Sequence, residues 1–333
     1  MRSFLATGAG RGIVVVALGL GFAALLQAEG LRKQAQVQPQ GFQRRVALAA
    51  TRPLVDVSRT LHLTTPRHEL QVAIGRQHED DIDTRVRLTL PPPASPPPVL
   101  HRNPRPHHVV RAPKKPRYTA RKPLRVWVAG DSLAEVPGEG LERIAPHAVK
   151  VLPIESRLST GLARPDLYNW YTRFGQVIQS MRVNVAVLSF GADDAHGYMT
   201  GVPKGETVGP LGSPSWNAEY RRRVAGVTRE LNAAGIYVVW LGLPIPAGPG
   251  FKKSFPIVNR VLEAVVHEYP RTATYVDTWH LLAGAHDRYT AYLRVGGKLT
   301  LMRLPDGVHY TSAAGDLIAR QVLDRLSQVA DLG

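Results

Sequence analysis

Cysteine is absent from this 333-residue chain. Its absence excludes disulfide bonds, thiolate metal sites and cysteine nucleophiles. The chain also lacks the G-x-x-x-x-G-K-[ST] phosphate loop and the G-x-G-x-x-G dinucleotide fingerprint, which are the usual marks of a nucleotide site. We therefore predict a protein with no cofactor and no bound metal ion.

Acidic residues are scarce in the first third of the chain. Residues 1–123 hold 7 Asp and Glu against 20 Lys and Arg, whereas residues 124–333 hold 19 against 22. The overall charge of +16 therefore belongs to the N-terminal region and does not mark the whole protein as one that binds nucleic acid. A basic tail attracts lipid headgroups, anionic wall polymers or nucleic acid, or serves as a solvated tether. Nucleic acid is the least favoured of these partners.

Residues 12–26 form an uncharged apolar run that follows Arg2 and Arg11, the layout of a signal sequence or an anchor. The run is shorter than the about 20 residues that cross a bilayer, but Arg11 is the single charge in residues 3–27 and its side chain can reach the interface. No small-x-small cleavage site follows. We predict an uncleaved anchor over residues 1–33, with the C-terminal domain outside the cytoplasm. A cleaved signal and a buried soluble helix are the alternatives.

Two segments separate this anchor from the rest of the chain. Residues 34–81 carry apolar positions at mixed spacings of three and four, which predicts short amphipathic helices broken near Pro53 and Pro66. Residues 82–123 include eleven prolines interleaved with Arg, Lys and His, so we predict a basic, disordered linker of extended polyproline character. Its histidines are expected to be solvated.

The composition changes at Leu124, where strand-like and helix-like segments begin to alternate. Short apolar runs predict strands at 126–129, 149–152, 183–190, 236–242 and 273–276. Helical patterns occupy 141–145, 167–181, 216–234, 257–269 and 312–329, the last capped by Thr311 or Ser312. Continuous apolar strands that alternate with helices predict a parallel sheet covered on both faces. Most of Tyr168, Trp170, Trp216 and Trp240, at helical or strand spacing, are expected in the core rather than on a sugar-binding surface.

A serine stands where the first strand is predicted to end, in Gly130-Asp131-Ser132-Leu133. The carboxyl ends of parallel strands are where α/β proteins bind ligands, and the start of the next helix supplies a positive field. Ser132 is therefore a candidate nucleophile. Alone, the tetrapeptide is equally typical of a simple turn, and it is not the G-x-S-x-G elbow of α/β-hydrolases.

A histidine near the C-terminus provides the base that a serine needs. Asp306 precedes His309 by three residues, so its carboxylate can orient the imidazole within one turn. Ser132, His309 and Asp306 together predict a nucleophile, a general base and an acid. The alternative for Pro305-Asp306-Gly307 is a surface turn beside an incidental histidine.

With these residues, the region from about Leu124 to Gly333 resembles the SGNH/GDSL hydrolases. The resemblance implies a flavodoxin-like three-layer α/β/α fold and an esterase or related acyl-transfer activity. It also implies that Gly161, in Ser159-Thr160-Gly161-Leu162, donates its N–H to the oxyanion beside the N–H of Ser132. The anchor, the linker and residues 162–166 resemble a membrane-anchored bacterial subgroup of this family.

One family position differs in this chain. The family carries Gly-x-Asn-Asp, whose Asn donates to the oxyanion, whereas this chain has Asp193 in Gly191-Ala192-Asp193-Asp194. An ionised Asp193 has no proton to donate, and losing one oxyanion donor costs about 10²-fold to 10³-fold in rate. Three readings remain open: Asp193 is protonated, it holds a cation with Asp194 and His196, or the domain binds acylated glycans without turnover.

These patterns predict a serine ester hydrolase of the cell envelope. Ester-bearing glycans or lipids are the expected substrates, and the residues of the site also suit an O-acetyltransferase. The competing hypothesis is a non-catalytic domain that holds an acylated glycan in the same cleft.

Overall fold

The computed structural model describes residues 8–37, 42–63, 65, 69, 84–86, 88, 115–196, 199–202 and 208–333. It divides the chain into two compact units, Met1–Asp83 and Thr84–Gly333. Most of the predicted proline-rich linker, including the whole of 89–114, lies outside the described residues, as does the helix break predicted near Pro66.

The described part of the N-terminal unit includes three helices, α1 (Gly8–Leu26), α2 (Ala28–Val37) and α3 (Phe42–Thr60). The predicted break at Pro53 is wrong, because α3 continues through it. Proline removes one hydrogen bond from the helix, but Val55 and Ser58 beyond it are buried, and Arg59 pairs with Glu29 of α2 at 2.8 Å. Packing on α2 offsets the missing bond.

The predicted anchor run lies in α1, whose side chains Val15, Val16, Leu18 and Leu20 are exposed. Within the described ranges, no helix combines the length and the apolar character needed to cross a bilayer.

The second unit begins earlier than the predicted boundary at Leu124. Tyr118 donates its N–H to the Asp331 carbonyl at 2.9 Å, and the Asp331 N–H returns a bond of 2.9 Å to Pro116. Tyr118, Val86 and Leu88 also pack against the hydrophobic core. Residues 115–123 are therefore ordered parts of this unit, contrary to the predicted linker, because they pair with the C-terminal end of the chain.

Among the described residues, six strands form the central sheet, and their pairings are all parallel. They are β1 (Leu124–Gly130), β2 (Val149–Val151), β3 (Glu155–Ser156), β4 (Val185–Ser189), β5 (Tyr237–Leu241) and β6 (Ala273–Val276). The order is β2-β1-β4-β5-β6, and the short β3 pairs with the end of β1. This is the flavodoxin-like order, so the predicted fold class and its parallel sheet are confirmed.

Helices cover both faces of the sheet. They are α4 (Glu135–Ile144), α5 (Trp170–Ser180), α6 (Pro214–Ala233), α7 (Pro249–Val266), the single turn α8 (Thr278–Leu281) and α9 (Ser312–Val329). The helix α4 packs against α9, while α6 packs against both α5 and α7. The two groups of helices lie on opposite faces of the sheet because the crossovers are right-handed. The chain first moves from β1 towards β2 and later in the opposite direction, from β4 towards β6.

Several details differ from the sequence prediction. Helix α7 starts eight residues earlier than expected, with Pro249 in its first turn, where a missing N–H costs nothing, and Pro256 inside it. A hairpin of β7 (Tyr292–Val295) and β8 (Lys298–Leu301) was not predicted. Thr311 is the N-cap of α9, but its hydroxyl donates to the Leu301 carbonyl instead of capping the helix.

The core lies between the sheet and its helices. As predicted, Trp170, Trp216 and Trp240 are fully buried, and so is Trp127. Because these rings fill the core, polar chemistry is expected at the carboxyl ends of the strands, where the loops after β1 and β4 meet.

Candidate active site

The predicted nucleophile lies at a tight turn after β1. A Cβ atom on Gly130 would lie 1.8 Å from the Ser189 carbonyl oxygen, so this close approach to β4 requires glycine. Ser132 then opens a single 3-10 turn, Ser132–Ala134, whose N-cap is Asp131.

Asp131, which we had not predicted as a site residue, ties this turn to the loop after β4. One carboxylate oxygen accepts the Leu133 N–H at 3.0 Å, and the other accepts the Gly191 and Ala192 N–H groups at 3.1 Å each. Asp131 is fully buried. Burial raises its pKa well above the ordinary value, and Asp193 and Asp194 add to the rise, against the opposing effect of the Leu133 and Ala192 N–H groups. Its position directly before Ser132 was the available sequence signal.

The structure brings Ser132, His309 and Asp306 into one hydrogen-bonded series. Ser132 Oγ lies 2.8 Å from His309 Nε2, and His309 Nδ1 lies 2.9 Å from Asp306 Oδ2. The other oxygen of Asp306 accepts the N–H groups of Val308 (2.7 Å) and His309 (2.9 Å). Partial burial pushes the pKa of Asp306 up, but these bonds from His309 and Val308 outweigh it and hold the pKa below its ordinary value. An ionised Asp306 can therefore orient the imidazole.

Backbone hydrogen bonds of Gly307 hold the turn that carries Asp306 and His309. Its carbonyl accepts the Ala247 N–H at 3.0 Å and the Arg303 guanidinium at 3.1 Å, and its N–H donates to the Leu304 carbonyl at 2.9 Å. Arg303 is buried, with its guanidinium over the rings of Tyr289 and Tyr310. Sequence reasoning missed Arg303, which no motif marks.

The predicted oxyanion donor Gly161 lies against Asp194. A Cβ atom at position 161 would be 2.1 Å from Asp194 Oδ1, so only glycine fits beside this carboxylate. Within the part of the chain that the structure describes, neither the Ser132 N–H nor the Gly161 N–H donates a hydrogen bond to a protein atom. Both amides are free to receive an anionic oxygen.

Asp193 is half-buried in the loop after β4. Burial and the neighbouring Asp194 raise its pKa, while His196 and His309 lower it. A raised pKa widens the pH range over which this carboxyl carries a proton that it can donate.

The oxygens of Asp194 are already occupied. They accept the N–H groups of Leu162 (3.1 Å) and Ala163 (2.7 Å) and the hydroxyl of Tyr220 (2.7 Å). Among the described residues, no group of three or more His, Asp and Glu side chains is placed to hold a metal ion. The hypothesis that Asp193 holds a cation therefore gains no second ligand from Asp194.

The Asp131 contacts lead to a stability prediction. In Asp131→Asn the side chain keeps one acceptor oxygen, so its NH₂ must face N–H donors at either Leu133 or the Gly191–Ala192 peptide. We expect the free energy of unfolding to fall by about 1–3 kcal/mol, since a buried donor is left unpaired. Urea unfolding measures the change. The matched control, Asp324→Asn on the exposed face of α9, should stay within about 0.5 kcal/mol of the unsubstituted chain. Equal stability of the two variants would contradict the role of Asp131.

Solved structures with which this chain shares similarity include three ester-cleaving proteins. They are a GDSL-like lipase from Bacteroides thetaiotaomicron (13% identity, TM-score 0.42), the esterase EstA from Pseudoalteromonas sp. (12%, 0.41) and a catalytic mutant of an acetylxylan esterase from Geobacillus stearothermophilus (12%, 0.42). The alignments cover 62%, 62% and 61% of this chain and 88%, 97% and 93% of the respective structures. At these identities and TM-scores, the fold assignment depends on the strand order of this chain itself.

A comparison with curated protein sequences finds no match. A family model described as "Protein of unknown function (DUF459)" matches residues 125–325. This range spans β1 to α9 and includes Ser132, Asp193 and His309, and it is more than half of the chain. The chain belongs to the DUF459 family.

Proposed function

We propose that this protein is a serine ester hydrolase that works through an acyl-enzyme. The observation that carries the proposal is the continuous series from Ser132 Oγ to His309 Nε2 (2.8 Å) and from His309 Nδ1 to Asp306 (2.9 Å). A serine hydroxyl becomes nucleophilic when an oriented imidazole can take its proton. The turn after β1 places that hydroxyl at the carboxyl ends of the strands, where α/β proteins bind ligands.

The reaction would proceed in two halves. Ser132 Oγ attacks the ester carbonyl while His309 Nε2 takes the hydroxyl proton, and the Ser132 and Gly161 N–H groups bind the oxyanion. The intermediate collapses, the ester C–O bond breaks, and His309 returns the proton to the leaving alcohol. Water then attacks the acyl-serine, with His309 again as base, and releases the acid. With a sugar hydroxyl in place of water, the same steps transfer the acyl group.

Labelling with a fluorophosphonate tests the nucleophile. We expect stoichiometric labelling of Ser132 in the folded protein and none in Ser132→Ala. His309→Ala should slow ester hydrolysis by about 10⁴-fold or more, because the hydroxyl loses its base. The control is His280→Ala: His280 forms a second Asp-x-x-His pair with Asp277 but has no contact with Ser132 among the described residues. If His280→Ala and His309→Ala lose equal activity, the assigned roles are wrong.

The raised pKa of Asp193 predicts that the rate of ester hydrolysis depends on pH in an unusual way. Since its pKa is raised, the protonated form that can donate to the oxyanion is present below that pKa and is lost as pH rises through it. The rate of the unsubstituted chain relative to that of Asp193→Asn should therefore fall as pH rises, because the asparagine keeps a donor at all pH values and the other groups of the site are common to both proteins. Ester hydrolysis from pH 5 to 8 measures both profiles.

The same substitution separates the proposal from its main alternative. The carboxylate at position 193 also suits a domain that binds an acylated glycan without turning it over. Absence of labelling in the unsubstituted chain, together with labelling of Asp193→Asn, would favour that binding function and contradict the active hydrolase.

We further propose that the enzyme acts on acyl or acetyl esters of the cell envelope, held at a membrane by α1. The support is the set of exposed apolar side chains on α1, among them Val16 and Leu20, with basic Arg11 in its first turn and basic Arg32 in the next helix, α2. Anionic lipid headgroups or wall polymers are the partners that fit the basic N-terminal region.

Vesicle flotation tests the attachment to membranes. The full chain should float with vesicles that contain anionic lipid, and the double variant Val16→Glu, Leu20→Glu should stay in the dense fraction because charge in the apolar face opposes burial in lipid. As a control, Thr60→Glu at the end of α3 should float normally. Flotation of the double variant would contradict a role for α1.

A further inference from the structure

Buried charges surround the short segment that follows Gly161. On one side lies Asp194, which is 1% exposed and whose carboxylate accepts the Leu162 and Ala163 N–H groups at 3.1 and 2.7 Å. Gly161 packs directly on this carboxylate, since a Cβ atom there would lie 2.1 Å from Oδ1. The N–H side of the segment is thus fixed by a single side chain from the loop after β4.

The carbonyl side of the same segment faces a buried cation. Arg223 of α6 is fully buried, and its Nη1 donates to the Leu162 carbonyl at 2.8 Å and to the Ala163 carbonyl at 3.2 Å. Its Nη2 donates to the Thr200 carbonyl at 2.7 Å, and its Nε donates to Glu219 at 2.7 Å. The guanidinium uses its fixed fork to bind backbone oxygens, which a flexible lysine would do less well.

We propose that Asp194 and Arg223 are positioning residues that grip the Leu162–Ala163 segment from opposite sides and so aim the Gly161 N–H at the oxyanion. This inference rests on the proposed ester hydrolysis, because it assigns Gly161 the oxyanion role. Neither residue touches the substrate. Their contribution is geometric, since misplacing an oriented group by about 1 Å can cost about 10²-fold in rate.

Hydrogen bonds and the nearby charge of Arg223 offset the cost of burying Asp194, while the ion-pair partner of Arg223 is Glu219 at 2.7 Å. Burying a carboxylate is costly unless it is paired and hydrogen-bonded, and removing one partner of a buried pair leaves the other uncompensated. Burial raises the pKa of Asp194, while its bonds from Ala163, Tyr220 and Leu162 and the charge of Arg223 oppose the rise.

Other titratable groups also face Asp194. The carboxylates of Asp131 and Asp193 repel its charge, the Tyr220 hydroxyl donates to it, and the Tyr171 hydroxyl lies nearby and donates to the Leu162 carbonyl at 2.8 Å. Glu219 neutralises part of the Arg223 charge. Arg223 is therefore the charge that offsets this acidic surrounding.

The sign of the effect of pH follows from this balance. Removing the Arg223 charge raises the pKa of Asp194 further, so the carboxyl is protonated over a wider range at low pH. A protonated Asp194 accepts poorly from the Leu162 and Ala163 N–H groups, so the Leu162–Ala163 segment is no longer held in place. Activity should then be lost at low pH and regained as pH rises through the pKa of Asp194.

The test uses Arg223→Met in the full chain, with rates of fluorophosphonate labelling and ester hydrolysis from pH 5 to 8. We expect kcat to fall by about 10-fold to 10²-fold with a smaller change in KM. The ratio of unsubstituted to Arg223→Met rates should shrink as pH rises. Because Asp193 titrates in both proteins, its own pH dependence largely cancels in this ratio.

Two further variants separate geometry from charge. Arg223→Lys keeps the charge but loses the fork, so it should lose less activity and give a ratio that is flat with pH. Asp194→Asn imitates the protonated carboxyl, so its activity should be low at every pH. If Arg223→Met does not fold, as circular dichroism would reveal, these two variants carry the test.

The matched control is Arg222→Met, which removes the neighbouring arginine that also pairs with Glu219, at 2.7 Å. It should label at the unsubstituted rate. If the unsubstituted chain is not labelled, the ester-hydrolase proposal fails. The proposed role of Asp194 and Arg223 in positioning the oxyanion donor then fails with it. If the unsubstituted chain is labelled and Arg223→Met, Arg223→Lys and Asp194→Asn match it at every pH, the positioning role alone is overturned.

Discussion

The hydrogen bonds from backbone N–H groups to two buried carboxylates determine the shape of the site. Asp131 joins the turn after β1 to the loop after β4, and Asp194 joins that loop to the segment after Gly161. The three loops that carry Ser132, Asp193 and Gly161 are thus linked to one another through side chains, in addition to backbone bonds such as that from the Thr200 N–H to the Ala163 carbonyl (3.0 Å). Hydrogen bonds to charged groups are about twice as strong as neutral ones, which suits them to hold loops in place.

This construction has an electrostatic cost. Asp193 and Asp194 both raise the pKa of Asp131, and Asp194 also raises the pKa of Asp193. The cation of Arg223 offsets part of that repulsion at Asp194, and His309 and His196 offset part of it at Asp193. The surroundings of Asp193 therefore widen the pH range over which its carboxyl is protonated. Asp193, which stands where the SGNH/GDSL pattern that this chain resembles has asparagine, is then compatible with donation to an oxyanion.

Much of this architecture could be predicted from the sequence, because it depends on local patterns. Apolar runs followed by helical periodicity gave the parallel sheet, and the spacing of Asp306 and His309 gave a pair that interacts within one turn. The roles of Arg223 and Arg303 could not be predicted. Each bonds to backbone carbonyls, and the Arg223 contacts lie about sixty positions away in the chain, so neither leaves a motif in the sequence.

Helix boundaries near prolines were also hard to predict, because tertiary packing outweighs the single hydrogen bond that proline removes. Both Pro53 and Pro256 lie inside helices that have buried residues beyond them. The ordered residues 115–123 were missed for a related reason. Their partner is Asp331, more than 200 positions later, and composition alone carries no information about that pairing.

The account depends most on Ser132 being acylated during turnover. Intact-mass spectrometry of the chain, mixed with a p-nitrophenyl ester and quenched rapidly in acid, measures this directly. We expect a mass increase of one acyl group, carried by the peptide that contains Ser132, and no such increase in His309→Ala. Ester turnover without acylation, or acylation of a different peptide, would contradict the account.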